Sequence, residues 1–157
     1  MPFDTAAYVG RDFDLGAFQG FEASGTFPWY QALAQPGDSG VVVAGIELLS
    51  QRFLLELLTE TGSLVYLPTR GCGFMSDARS GRWRTPADVE QSFHSALLDV
   101  KRNLQQEETT SDPLDECYAS ASLQGVTVAS GLVTLSIALL SQAGTSRTVF
   151  APLPLTP

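Results

Sequence analysis

An α+β fold is predicted for this chain: two main helices packed on a small, mainly antiparallel sheet that ends in a β-meander, with an extended N-terminal arm. Three observations predict it. Two segments carry apolar residues at helical spacing, the last third alternates apolar with small polar residues, and the first 40 residues hold many aromatics without any period. A length of 157 residues suits one core. The chain therefore divides into an aromatic-rich arm at 1–40 and a single α+β domain at 41–157.

The arm carries Phe3, Tyr8, Phe13, Phe18, Phe21, Phe27, Trp29 and Tyr30 among glycines and acids. Disordered linkers lack aromatics, so such a segment either packs along its own domain or lies in a groove on another chain. The second option makes Phe13, Phe18, Phe21, Trp29 and Tyr30 candidate partner contacts. Gln35-Pro36-Gly37-Asp38-Ser39-Gly40 is a dense turn signal where the arm meets the body. From Gly45 to Thr61, Ile46, Leu49, Phe53 and Leu57 form a helical stripe widened by Leu48, Leu54, Leu55 and Leu58, with Gly62 as the expected stop. Leu64-Val65-Tyr66-Leu67 reads as a short strand ended by Pro68, and a loop of Gly, Cys, Ser and Arg follows.

The second helix has a clear start: Thr85 as N-cap, Pro86 in the first helical position, and Asp88 where its charge meets the positive helix terminus. Val89, Phe93, Leu97, Val100 and Leu104 give it one apolar face, and the polar run Glu107–Asp112 before Pro113 ends it. Beyond it, Ala119, Ala121 and Leu123 share one parity and Val126 and Val128 the other. The switch at Gln124-Gly125 reads as a bulge. Ser130-Gly131 is a tight hairpin turn, after which Val133, Leu135, Ile137 and Leu139 alternate with smaller residues. A turn at Gln142–Thr145 leads to a short strand, Arg147 to Phe150, which Pro152 and Pro154 are expected to terminate.

Charge narrows the partner class. Seventeen acids against nine bases give a net charge of −8, which opposes a grip on nucleic acid. The longest apolar run, Leu132 to Leu140, is too short and too interrupted to span a membrane, and acids and Arg11 near the N-terminus do not suit a signal peptide. The basic side is eight Arg and Lys101, a composition suited to protein interfaces. Arg79, Arg82, Trp83 and Arg84 form its one concentration, readable as an interface patch or as local ion pairing with Trp83 covering a helix end.

Chemistry is not signalled. Cys72 and Cys117 lie far apart without a Cys-x-x-Cys, and His94 is the single histidine, so neither a zinc site nor a nucleophile with its base is expected. No cofactor is expected either; Gly71-Cys72-Gly73 is too short for a phosphate-binding loop. Glu56 with Glu60, or Asp112 with Glu116, lie one helical turn apart and are the pairs a glycosidase would need. Acids at this spacing are also common on exposed helix faces.

The string from Gly45 to Gly73, with Leu58-Thr59-Glu60-Thr61-Gly62 and Pro68-Thr69-Arg70-Gly71, then the Thr85 helix and the strands to Phe150, resembles the small baseplate wedge protein, or sheath initiator, of contractile bacteriophage tails. The resemblance covers residues 38 to 151. The family's Glu-Pro-Arg triplet before the meander has its nearest counterpart in Asp115-Glu116-Cys117, with Asp115 as the acid and Cys117 in the place of the arginine. It implies a structural role without catalysis, in many copies in the tail baseplate of a virion assembled in the host cytoplasm, with other wedge proteins, tail tube and sheath subunits as partners. It also implies that the sheath starts by strand augmentation, for which Arg147, Thr148, Val149 and Phe150 of the last strand are the expected edge. A muramidase with a carboxylate pair is the alternative from another class, and a free-standing cytosolic adaptor a third.

Overall fold

The structure, a computed structural model, describes residues 12–13, 42–129 and 131–154. Among these the order is β1 (Asp12–Phe13), β2 (Val42–Val43), α1 (Ile46–Leu58), α2 (Phe74–Arg79), α3 (Pro86–Glu107), β3 (Tyr118–Ala129), β4 (Leu132–Ser141) and β5 (Ser146–Pro154). β1 pairs antiparallel with β2, so the arm meets its own chain at Asp12–Phe13. Phe18, Phe21, Trp29 and Tyr30 lie outside the described residues. The main sheet is antiparallel in the order β3-β4-β5, and the helices pack on one face of it. The fold is α+β, as the two periodicities predict.

The inward row of β4 is the predicted one: Val133, Leu135, Ile137 and Leu139 are fully buried. Val149, Ala151 and Leu153 of β5 continue this face, and Ala121, Leu123 and Val126 of β3 pack against its margin. On β3 the parity changes because the register slips between Leu123 and Gly125, the bulge read from Gln124-Gly125. Ala129 pairs with Leu132, and Gly131 between them adopts φ 76°, a left-handed value suited to glycine; Ser130, the other residue of the expected turn, lies outside the described residues.

The helices meet this face with large apolar side chains. α3 opens with a capping box: Thr85 Oγ1 accepts from the Asp88 N–H while Asp88 accepts from the Thr85 N–H. Val89, Phe93, Val100 and Leu104 are buried along it. α1 contributes Leu49, Phe53, Leu54 and Leu57, and the Phe53 ring stacks on Tyr118 with centroids 6.2 Å apart.

Four local expectations are corrected. α1 ends at Leu58 rather than Thr61, because the Thr59 carbonyl leaves the helix to accept from the Cys72 N–H. Gly62 instead serves a turn, donating to Pro68 O. Leu64–Leu67 forms no strand: no strand among the described residues lies beside it, and the segment closes on itself through Leu67 N–H to Leu64 O. The loop after Gly71 contains a helix, α2, held by Phe74, which lies 4.6 Å from the Trp83 ring and edge-on to Phe93. Lastly, β5 does not stop at Phe150. Pairing runs on to Leu132 with Pro154, because the odd residues of β5 make the ladder and the prolines fall on even positions.

Phe53 bridges α1 to the first residue of the sheet. Phe53→Ala should cost about 3–5 kcal/mol in chemical denaturation, whereas Thr85→Ala should cost about 1 kcal/mol through the lost cap.

Candidate interaction surface

Backbone junctions in this fold are seated on carboxylates. The most enclosed is Glu56, 4% exposed on α1. Its Oε1 accepts from Arg70 Nε at 2.6 Å, and its Oε2 accepts from the Gly71 N–H at 3.0 Å and from Asn103 Nδ2 at 2.9 Å. Asn103 also donates to Gly71 O, so one side chain of α3 grips both the carboxylate and the loop. Arg70 further pairs with Glu107, which also pairs with Arg52. Gly71 fits here without a side chain: at φ 83° an added Cβ would lie 2.3 Å from Thr59 O.

This geometry accounts for the acids that a glycosidase reading would use. Glu56 has each oxygen engaged by the loop, and Glu60 forms an ion pair with Arg79. Glu116 is buried, and its Oε1 accepts from the Gly45 N–H at 2.9 Å, anchoring the start of α1. Asp115 lies at the same helix start: a Cβ at Gly45 would come within 2.6 Å of its Oδ2. In the Asp115-Glu116-Cys117 triplet the buried acid is thus Glu116, with Asp115 half-buried beside it. Among the described residues no cluster of three or more His, Cys, Asp or Glu side chains is placed to hold a metal ion, and no helix is long and apolar enough to cross a membrane. Cys72 and Cys117 are free and buried, and burial pushes the Cys72 thiol up to about 11.

The Arg-Trp patch is corrected in part. Trp83 is a core residue, 8% exposed against Phe74, so it offers little to a partner. Its ring fills the space between α2 and α3, and sequence spacing did not show that. Arg79 pairs with Glu60 and Arg82 with Asp77, while Arg84 is exposed with its backbone N–H donating to Asp88. Asp77 also accepts from Ser92 Oγ of α3.

The sheet is where unpartnered groups collect. Ser141 N–H donates to Thr145 O in the β4–β5 hairpin, so pairs of that phase are hydrogen-bonded, and the odd residues of β5 face β4. Val149 accordingly points its N–H inward and its side chain into the core. Arg147 turns inward too, bonding Glu47 of α1 at 2.5 Å. The outward donors of β5 belong to Ser146, Thr148 and Phe150, and the next two outward positions are Pro152 and Pro154, which have none. The opposite edge differs. By the hairpin phase Ala121, Leu123, Val126 and Val128 turn their backbone groups outward on β3, a strand with neither charge nor proline from Tyr118 to Ala129. Among the described residues no backbone group outside the sheet pairs with that edge between Ala119 and Ala129. The outer face is equally neutral: Ser120, Ser122 and Thr127 on β3, Thr134, Ser136 and Ala138 on β4, and Thr148, Phe150 and Pro152 on β5.

Comparison with protein-family models, with curated proteins and with solved structures finds no match for this chain.

Removing Glu56 leaves the Gly71 N–H and one Asn103 N–H unpaired in the interior and takes from Arg70 one of its two acids. Glu56→Ala should therefore lower stability by about 3–5 kcal/mol in urea, against less than about 1 kcal/mol for Glu60→Ala at the exposed Arg79 pair.

Acid should loosen the same region. Burial pushes the Glu107 carboxyl up, but hydrogen bonds and charge from Arg70 and Arg52 outweigh it and hold the group below its ordinary 4.5. The Thr85 hydroxyl and N–H likewise hold Asp88 below 3.8. Depressed values add stability that is present above the ordinary value and lost as pH falls through the lowered one. The urea midpoint should fall from about pH 5 downward, and Glu107→Gln should flatten that fall.

Proposed function

We propose that this chain is a structural, non-enzymatic component of the baseplate of a contractile phage tail, which joins wedge or tube proteins to the first sheath layer and starts that layer by strand augmentation. The observation that carries the reading is the outer edge of β3: free of charge and proline, it presents a row of backbone donors and acceptors that no other backbone group among the described residues pairs, with only the Ala121 N–H met by the Tyr118 hydroxyl, on a sheet whose other edge is blunted by Pro152 and Pro154. It is supported by the resemblance of residues 38 to 151 to sheath initiators, whose first helix, Thr85 helix and terminal β-meander have counterparts here, although the short strand expected at Leu64–Leu67 is absent. A contractile sheath begins by copying onto the baseplate a contact its subunits make with one another, and an extended arm adding to β3 would be such a contact. The starting edge is thereby moved from β5, where the short last strand suggested it, to β3.

The muramidase alternative gains nothing from the geometry, since Glu56 and Glu60 are committed to Arg70 and Arg79. The virion setting, the wedge and tube contacts and the copy number belong to this proposal.

Proline substitution separates the two edges. Val126→Pro and Val128→Pro each remove one outward donor from β3 while leaving its ladder to β4, and Thr148→Pro does the same on β5. In electron micrographs of particles, the β3 variants should give baseplates with bare tubes, and the β5 variant normal sheaths. Normal sheaths on the β3 variants, with the protein incorporated, would remove this edge from the assembly.

A further inference from the structure

The turn at Leu64–Leu67 holds four consecutive apolar residues in solvent: Leu64 is 43%, Val65 85%, Tyr66 94% and Leu67 55% exposed. In a folded chain of this size, exposed apolar residues are common singly, but a contiguous apolar projection is a feature of interaction sites. This projection is also rigidly built. Successive turn bonds run from Ser63 N–H to Glu60 O, from Leu67 N–H to Leu64 O and from Arg70 N–H to Leu67 O. Gly62 N–H closes the neck on Pro68 O, and Thr59, Thr61 and Cys72 join the base. Below that, buried Glu56 and Asn103 hold Arg70 and Gly71. A turn held this way loses little conformational freedom on docking.

We propose that Leu64–Leu67 is a preformed apolar knob that seats Val65 and Tyr66 in an apolar socket, rimmed by basic residues, on a different folded protein. The charge pattern selects this occupant. A membrane-inserting turn needs free Lys or Arg beside it to meet anionic headgroups, yet residues 61 to 69 hold no charge, and the nearest cations, Arg70 and Arg79, are engaged by Glu56, Glu107 and Glu60. A second copy is a poor host, because each chain carries −8; of the two described surface grooves, the one around Asp77, Arg82 and Arg84 is polar, and the one beside Leu98, Lys101 and Arg102 is shallow and offers a single apolar side chain. A basic rim complements the acidic body. The tyrosine at the tip supplies a rigid apolar ring with a hydroxyl, the side chain enriched at binding hot spots. The inference stands apart from the baseplate reading and from the β3 edge.

The test places the photo-crosslinking residue p-benzoylphenylalanine at position 66 of the full chain, and separately at Leu98, an exposed leucine on α3. After irradiation in the producing cells, position 66 should give one discrete adduct with another polypeptide, absent from position 98 and reduced about tenfold or more by adding Val65→Asp. That polypeptide, identified by mass spectrometry and purified, should bind the full chain. Tyr66→Asp and Tyr66→Ser should each weaken binding about thirtyfold, with Leu98→Asp within about twofold of the parent. Thermal melts of all variants should match the parent, since these side chains face solvent. An adduct with a second copy, equal adducts from both positions, no adduct, or undiminished binding by the Tyr66 variants would each overturn the proposal. So would Tyr66-dependent sedimentation with vesicles of roughly three parts phosphatidylcholine to one of phosphatidylglycerol.

Discussion

The buried carboxylate of Glu56 is the constraint on which the helical layer depends. A charge taken out of water is costly unless its lone pairs are filled, and here they are filled by Arg70, the Gly71 N–H and Asn103. Glu56 itself lies on α1 and its partners come from the loop and α3, so satisfying one oxygen pair fixes three pieces of chain at once. The arrangement also dictates its neighbours. Arg70 needs Glu107 to balance it, Gly71 must lack a side chain beside Thr59, and the isolated bridge of Cys72 to Glu60, with its N–H on Thr59 O, follows from where Gly71 is held. The apolar turn at Leu64–Leu67 can stand in solvent because its base is fixed from below rather than by its own contacts.

The same device recurs at other junctions, which gives the acidic composition a structural reading. Glu116 takes the Gly45 N–H at the start of α1, Glu108 takes the Tyr118 N–H at the start of β3, Asp88 takes Thr85 at the start of α3, and Asp112 takes Thr109 in the turn after it. Helix and strand starts leave N–H groups without intra-element partners, and a nearby carboxylate satisfies them with a charge-assisted bond. Gly45 has no side chain with which to cap its own helix, so α1 depends on a residue 71 positions later. The helix layer and the sheet are therefore joined by polar pins as well as by the apolar face between them.

Legibility in the sequence followed the range of the interactions involved. The α3 start could be read because Thr85, Pro86 and Asp88 are adjacent, and β4 because its alternation is unbroken. The bulge at Gln124-Gly125 was legible as a parity switch. What was missed needs distant partners. α2 is six residues long and exists because Phe74 meets Trp83 and Phe93. Trp83 beside three arginines could be read as an interface residue or as cover for a helix end; its burial against Phe74 and the Arg82–Asp77 pair fall on the side of the second. Leu64–Leu67 has strand composition, but β-propensity is realised only against a neighbouring strand, and none among the described residues lies beside it. The extension of β5 past two prolines required knowing the ladder phase. Of the candidate contacts, Thr148 and Phe150 lie on the outer side of β5, Val149 and Arg147 are turned inward, and Asp115 sits at the α1 start. The difference between the edges was present in the residues, since Tyr118–Ala129 lacks charge and proline and the final segment does not. It gained meaning once consecutive hairpins made both strands edges.

If the β3 edge, unpaired among the described residues, takes a partner's arm as proposed, it must also avoid pairing with another β3. Self-pairing of two such edges favours flat, regular strands whose donors and acceptors match over many residues. β3 is irregular twice, with register shifts at Tyr118/Ser120 and at Leu123/Gly125. A bulge bends its strand and increases the local twist, so two rigid copies approaching edge to edge would meet at two places where the repeat is broken. An extended arm held in no sheet of its own has no such conflict, because its backbone can follow the bend as it pairs. Like charge on two −8 chains adds to the same bias. The irregularities of β3 thus act as a filter: they leave the backbone groups available while disfavouring the flat, rigid partner most able to propagate aggregation.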